Sequence, residues 1–212
     1  VTYNATDSSL QPVCSSSAVE WVRDSYGISG DYLLYFGGFD QRKNVERILL
    51  AYRAARENFH TPCQLVLAGS LNHVGHPLYP DPRPMILRLG LEGQVIVTGR
   101  ISEEEKPALY SAARAFVFPS LYEGFGMPVL EAMACGTPVI TSNTSSLPEV
   151  AGDAALLVDP TCVDDIAESM VRVMNDAGLQ EELRGKGLLR ASQFSWEASA
   201  AKTLEVYRQV GR

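Results

Sequence analysis

Two glutamates, Glu123 and Glu131, stand eight positions apart in PSLYEGFGMPVLEAMACGTPVI (residues 119–140), around a stretch broken by Gly124, Gly126 and Pro128. One continuous helix would separate the carboxylates by about 12 Å at the usual rise per residue. Proline favours the first helical turn, so the spacing predicts a helix beginning near Met127 or Pro128, with Glu123 left in a glycine-flanked loop and Glu131 one turn inside. The unpaired amides of Val129 and Leu130 would then face an anion, and the two carboxylates would accept hydrogen bonds from hydroxyls on either side of it. Hydroxyls, then phosphates, then more hydroxyls describe a sugar nucleotide. The side chains of Met127, Leu130 and Met133 read as core.

Cations are placed to meet such a ligand. In FGGFDQRKNVERI, Gly37 and Gly38 follow an apolar run, and Arg42 and Lys43 stand at the entrance to a helical stretch. Cations are locally unfavourable at a helix N-terminus, so their placement points to a negative ligand nearby. In VTGRIS, Gly99 permits close backbone approach and Arg100 adds a third cation. No Asp-x-Asp occurs in the chain, so the reading includes no metal and no cofactor.

The elements that would carry these groups alternate between short apolar runs and longer stretches of helical period, the pattern of a parallel sheet covered by helices. YLLYF (32–36), QLVLA (64–68), QVIVT (94–98), AFVFP (115–119), PVIT (138–141) and AALLV (154–158) read as six strands. NVERILLAYRAARENF places Val45, Ile48, Leu49 and Tyr52 along one face. SEEEKPALYSAA opens with Ser102 as an N-cap and Glu105 three residues on, a capping-box pattern. Ser146 and Glu149 in SSLPEV form a second S-x-x-E pattern, and three helical stretches follow near 163–175, 179–192 and 196–210. The expected fold is α/β, a doubly wound, Rossmann-like six-stranded parallel sheet that binds ligands beyond the carboxyl ends of its strands. His73-x-x-His76, in the irregular stretch 69–84, reads as surface histidines rather than a metal pair.

At 212 residues the chain can bury a substantial core, and no apolar run approaches the ~18–20 residues of a membrane span. The formal charge of −7, with acids and bases interspersed, argues against nucleic acid as a partner. Cys14, Cys63, Cys135 and Cys162 are widely spaced and read as reduced thiols, and nothing resembles a signal peptide, so the expected location is cytoplasmic. GFGMPV lacks the third glycine of a dinucleotide fingerprint, which disfavours a dehydrogenase.

The run 119–160, PSLYEGFGMPVLEAMACGTPVITSNTSSLPEVAGDAALLVDP, resembles the signature region of the retaining nucleotide-sugar glycosyltransferases of the GT-B fold, family 4 or group 1. FGGFDQRKN, LVLAG and VTGRISEEE join it in the right order, so the resemblance covers nearly the whole chain. It implies that the chain is the carboxyl-terminal, donor-binding half of such an enzyme. Residues 1–12 would be the interdomain connector, 13–195 the donor domain and 196–212 a terminal helix, with the acceptor-binding half absent.

Carried over by position, the resemblance implies that Lys43 contacts the donor pyrophosphate, Glu123 the transferred sugar and Glu131 the ribose. Backbone amides of Phe125, Gly126, Met127, Val129 and Leu130, around Gly124 and Pro128, would hold sugar and phosphates. Gly37, Gly38 and Arg100 complete the implied donor site. Many members carry Arg where this chain has Gly38, a role Arg42 could take over. The donor would be a GDP- or UDP-linked sugar. The acceptor would be a saccharide or lipid-linked hydroxyl reached through the absent half, as would any peripheral membrane contact. Two alternatives are a non-catalytic nucleotide-sugar-binding module and a GT-B-like sugar-nucleotide epimerase, whose pattern lacks the two-glutamate signature.

Overall fold

The computed structural model describes residues 2–71 and 76–211. His73 of the histidine pair lies outside them. In chain order the elements are α1 (Ser16–Tyr26), β1 (Asp31–Phe36), α2 (Val45–Ala55), β2 (Cys63–Ala68), α3 (Arg83–Leu89), β3 (Val95–Gly99), α4 (Lys106–Ser111) and β4 (Ala115–Phe118). There follow α5 (Met127–Ala134), β5 (Val139–Ser142), α6 (Leu147–Ala151), β6 (Ala155–Val158), α7 (Val163–Asn175), α8 (Ala177–Ala191) and α9 (Trp196–Val210).

All six expected strands are present, and every pairing is parallel, in the order β3-β2-β1-β4-β5-β6. This is a Rossmann-like sheet flanked by helices. Its central strands are apolar on both faces because helices cover both faces, and Tyr32 to Tyr35 and Ala115 to Phe118 are fully buried. The chain leaves β1 towards β2 and β3, then returns to β4 on the other side of β1, so the β1–β4 border is where the strand order reverses. In sheets of this kind ligands bind beyond the strand ends at such a border.

The helices follow their apolar periods. Val45, Ile48, Leu49 and Tyr52 of α2 are buried as the sequence predicts, and α2 packs on α7, whose buried face is Ile166, Met170 and Val173. Two helices are added and one expectation changes. Helices α1 and α3 were not read from the sequence: α1 packs only Val22 and Tyr26 on the core and exposes Trp21, and the short α3 packs Met85, Ile86 and Leu89 there. Helix α4 starts at Lys106, four residues after the expected cap at Ser102. Half of that capping box does form, since Ser102 N donates to Glu105 Oε2 at 2.8 Å, but Glu105 is also held by the Tyr26 hydroxyl at 2.9 Å. The residues between make a turn, and Pro107 falls in the first helical turn.

All four cysteines are free thiols. Among the described residues, no helix is long and apolar enough to cross a membrane.

Candidate functional site

The turns after β1 and β4 meet at the β1–β4 border and are bonded to each other. Leu121 N donates to Arg42 O at 2.8 Å, and Arg42 Nη1 donates to Tyr122 O at 3.0 Å. Glu123, only 8% exposed, lies inside this junction. Its Oε1 accepts from Lys43 Nζ at 2.7 Å and from the Ser120 hydroxyl at 2.7 Å, while Arg42 Nη1 stands 3.4 Å from Oε2. Arg42 is also anchored by Asp40, with Nε 3.1 Å from Oδ1, and Lys43 Nζ sits 4.8 Å from the Phe118 ring centre. The sequence placed Lys43 and Glu123 at different parts of a ligand; the fold makes them direct partners.

From Glu123 the chain runs through Gly124 and Phe125 to α5, which begins at Met127 as Pro128 predicts. Gly126 caps it at φ 105°, a conformation that disfavours any side chain, and a Cβ there would meet Leu147 Cδ2 at 2.7 Å. Two of the amides expected to be free are not. Val129 N and Leu130 N both bond to Gly126 O, at 3.0 and 3.3 Å, because the third and fourth helical residues are the first to reach an acceptor in the preceding turn. The amides left without a partner in the loop entering α5 are those of Gly124, Phe125, Gly126 and Met127.

Two serines pin this loop. Glu123 N donates to Ser145 Oγ at 3.1 Å, and the Ser146 hydroxyl lies 2.9 Å from Phe125 O and 3.0 Å from Glu123 O. The expected Ser146–Glu149 capping box is therefore absent. Ser146 has helical φ and ψ and makes no side-chain cap bond, while Glu149 accepts from the Tyr3 hydroxyl at 2.6 Å. Loop carbonyls distant in sequence took the hydroxyl that the local pattern assigned to a cap.

Glu131 projects from the next turn of α5 and accepts from the Tyr110 hydroxyl at 3.1 Å. Burial pushes its carboxyl above the usual carboxylate range, opposed by the field of Lys106 and by the Tyr110 bond. Lys106 in turn lines a cleft of about 400 Å³ beyond the ends of β1, β2 and β3, together with Gly37, Gly38, Gly69, Arg100 and Glu103. Lys106 Nζ lies 2.6 Å from Glu103 Oε2 and 5.1 Å from the Phe36 ring centre. A Cβ on Gly69 would stand 1.8 Å from Gly37 O, so the turns after β1 and β2 touch there because residue 69 has none.

The sequence-predicted residues thus fall into two groups. Gly37, Gly38 and Arg100 line the cleft, which Glu131 adjoins through Lys106. Arg42, Lys43 and Glu123 form the ionic junction, with Gly124, Phe125, Gly126, Met127 and Pro128 leading from it into α5. Sequence reasoning read Ser146 as a helix cap, and passed over Ser120, Tyr110, Lys106 and Ser145. Of these only Lys106 carried a local signal, as one more cation just past a strand end.

A family profile described as glycosyl transferases group 1 matches residues 23–189. The O-antigen chain mannosyltransferase B of Escherichia coli is 40% identical over 177 residues, which is 84% of this chain and 45% of that protein. Among solved structures, the sucrose-phosphate synthase from Thermosynechococcus elongatus shares 30% identity at a TM-score of 0.79, covering 98% of this chain and 51% of that one. The C-terminal domain of a group 1 family glycosyl transferase, LpcC, from Francisella tularensis aligns with 87% of this chain and 94% of its own, at 24% identity and a TM-score of 0.74. The chain spans about half the length of the mannosyltransferase and the synthase it resembles.

Proposed function

The chain belongs to the group 1 glycosyl transferases, and from that premise we propose that it is the donor-binding half of an enzyme that moves a sugar from a nucleoside diphosphate to an acceptor hydroxyl, with retention of anomeric configuration. Its six-stranded sheet matches the C-terminal domains of GT-B glycosyltransferases. The observation that carries the proposal is the junction at the sheet's switch point. There a buried carboxylate from the β4 turn meets two cations from the β1 turn, and the unpartnered amides of Gly124 to Met127 follow the carboxylate in its own loop.

In the proposed reaction the bond from the anomeric carbon to the diphosphate oxygen breaks, the acceptor oxygen forms the new one, and the acceptor's proton passes to the departing diphosphate. Negative charge grows on the departing diphosphate. Lys43 and Arg42 neutralise it from the β1 turn, and the amides of Phe125, Gly126 and Met127 donate to it from the start of α5. These amides replace those of Val129 and Leu130 in the role. Glu123, fixed by Lys43 and Ser120, orients the transferred sugar and faces the positive charge that develops at its anomeric carbon. Glu131 accepts from the ribose hydroxyls, and the cleft flanked by Arg100 and Lys106 takes the nucleoside.

The mannosyltransferase relative favours mannose as the transferred sugar, which makes a GDP-linked donor the first to test and a UDP-linked hexose the second. A saccharide or lipid-linked acceptor would be presented by a second, amino-terminal domain, so this half alone should bind donor and turn over poorly. The test is to supply the polypeptide carrying both halves with GDP-mannose or UDP-glucose and an oligosaccharide acceptor, and to read the product anomer by proton NMR. An α-linked product from an α-linked donor agrees with the proposal; an inverted product, or epimerised free sugar nucleotide without transfer, contradicts it.

A further inference from the structure

Asn44 follows Lys43 directly and has a backbone of unusual hand, φ 63° and ψ 29°, yet is only 3% exposed. Its carboxamide is fully used. Nδ2 donates to Pro119 O at 2.8 Å and to Pro160 O at 2.7 Å, and Oδ1 accepts from Arg47 Nη1 at 2.9 Å. Pro119 is the residue after β4, and Pro160 lies just past β6. One side chain therefore joins the turns after three strands, at the point where the cation-bearing turn enters α2.

The residue type matches this task and no simpler one. Left-handed backbone alone is served best by glycine, with asparagine and aspartate next. Glycine offers no donor, and aspartate would turn a carboxylate towards two carbonyl oxygens. Asparagine is the left-handed-tolerant side chain with two hydrogens on one atom and an acceptor on the other. Two buried carbonyls and one guanidinium require that inventory.

We propose that Asn44 is a positioning residue that holds Lys43 against Glu123, by tying the β1 turn to the chain leaving β4 and β6. The Lys43–Glu123 contact spans two turns of independent origin, and its 2.7 Å length depends on the offset between them. The Asn44–Pro119 bond fixes that offset one residue from Lys43 on one side and one residue from Ser120 on the other. The consequence for donor binding rests on the proposed function; the positioning itself does not.

The experiment compares the wild-type chain with Asn44→Gly, which keeps the left-handed backbone and removes the amide. Arg47→Met serves as a milder variant that releases only Oδ1. Amines are acetylated with limiting acetic anhydride, and each lysine is quantified by mass spectrometry, with exposed Lys202 as reference and part-buried Lys106 as control. Labelling of Lys43 should rise several-fold in Asn44→Gly and less in Arg47→Met, with Lys106 unchanged. Unchanged Lys43 labelling, or Lys43 and Lys106 rising together as in general loosening, overturns the proposal.

A second arm measures sugar-nucleotide affinity in a cycle with Lys43→Met. Asn44→Gly should weaken binding by about tenfold alone and add little in the Lys43→Met background. Losses that multiply would show that Asn44 does not act through Lys43. If the wild-type chain binds no sugar nucleotide, the donor reading falls, while the labelling still decides the role of Asn44.

Discussion

Lys43 Nζ stands 2.7 Å from Glu123 Oε1, and both side chains are nearly buried, at 12% and 9% exposure. The cation of the β1 turn and the carboxylate of the β4 turn are thus one ionic unit at the place where strand order reverses. Buried ion pairs are poor sources of net stability, but removing one member leaves a charge out of water without its partner.

Lys43→Met should accordingly destabilise the chain by about 1–3 kcal/mol, below the usual range for a broken buried pair because Ser120 and Arg42 still face Glu123. Adding Glu123→Gln should recover part of that loss, since no unpaired carboxylate remains. Urea denaturation midpoints of the two variants and the wild type check this. A double variant less stable than Lys43→Met alone would contradict it.

Glu131 gives a pH signature. Its folded carboxyl titrates above the ordinary range because burial penalises the charged form. A group raised in this way favours folding below its unfolded pKa, and that advantage is lost as pH rises through the folded value. Glu131→Gln should therefore raise the melting temperature at neutral pH, and the gap should close as pH falls below about 4, where both states of the wild type are protonated. A gap of constant size from acid to neutral pH would mean that burial of the charge is not its cause.

Gly69→Ala tests the contact between the turns after β1 and β2. The added methyl would meet Gly37 O at 1.8 Å, so one turn must move. The expected loss is about 1–3 kcal/mol, the usual cost of forcing atoms into a packed site. A melting temperature equal to wild type would show that the turns separate freely.

Ser146→Ala should cost about 1 kcal/mol and speed hydrogen exchange at Glu123, Val129 and Leu130, whose amides are bonded on the loop it pins, because the carbonyls of Glu123 and Phe125 lose their donor. Were Ser146 only a helix cap, the exchange change would fall within α6 instead.

The sheet was legible because each strand of a two-sided parallel sheet is a short unbroken apolar run, as in YLLYF and AFVFP. The start of α5 was legible because Pro128 announces it. The amides of Val129 and Leu130 were misread as free donors, since sequence shows where a helix begins but not which carbonyl its first turns find. The carboxamide of Asn44 was invisible for a different reason: the carbonyls that its Nδ2 reaches lie 75 and 116 residues away. Ser146 misled because its local S-x-x-E pattern was complete, yet carbonyls 21 and 23 residues upstream took its hydroxyl. Single polar residues announce their chemistry only when the partner is close in sequence, and here the fold supplies the partners.

The most direct test of the donor site is calorimetric titration of the chain with GDP-mannose and UDP-glucose, repeated with Glu131→Ala and Lys43→Met. One of the two sugar nucleotides should bind, and each variant should weaken it by about tenfold or more, as expected for lost hydrogen bonds to charged groups. Binding of neither sugar nucleotide, or undiminished binding by both variants, would contradict the assignment of this junction as the donor site.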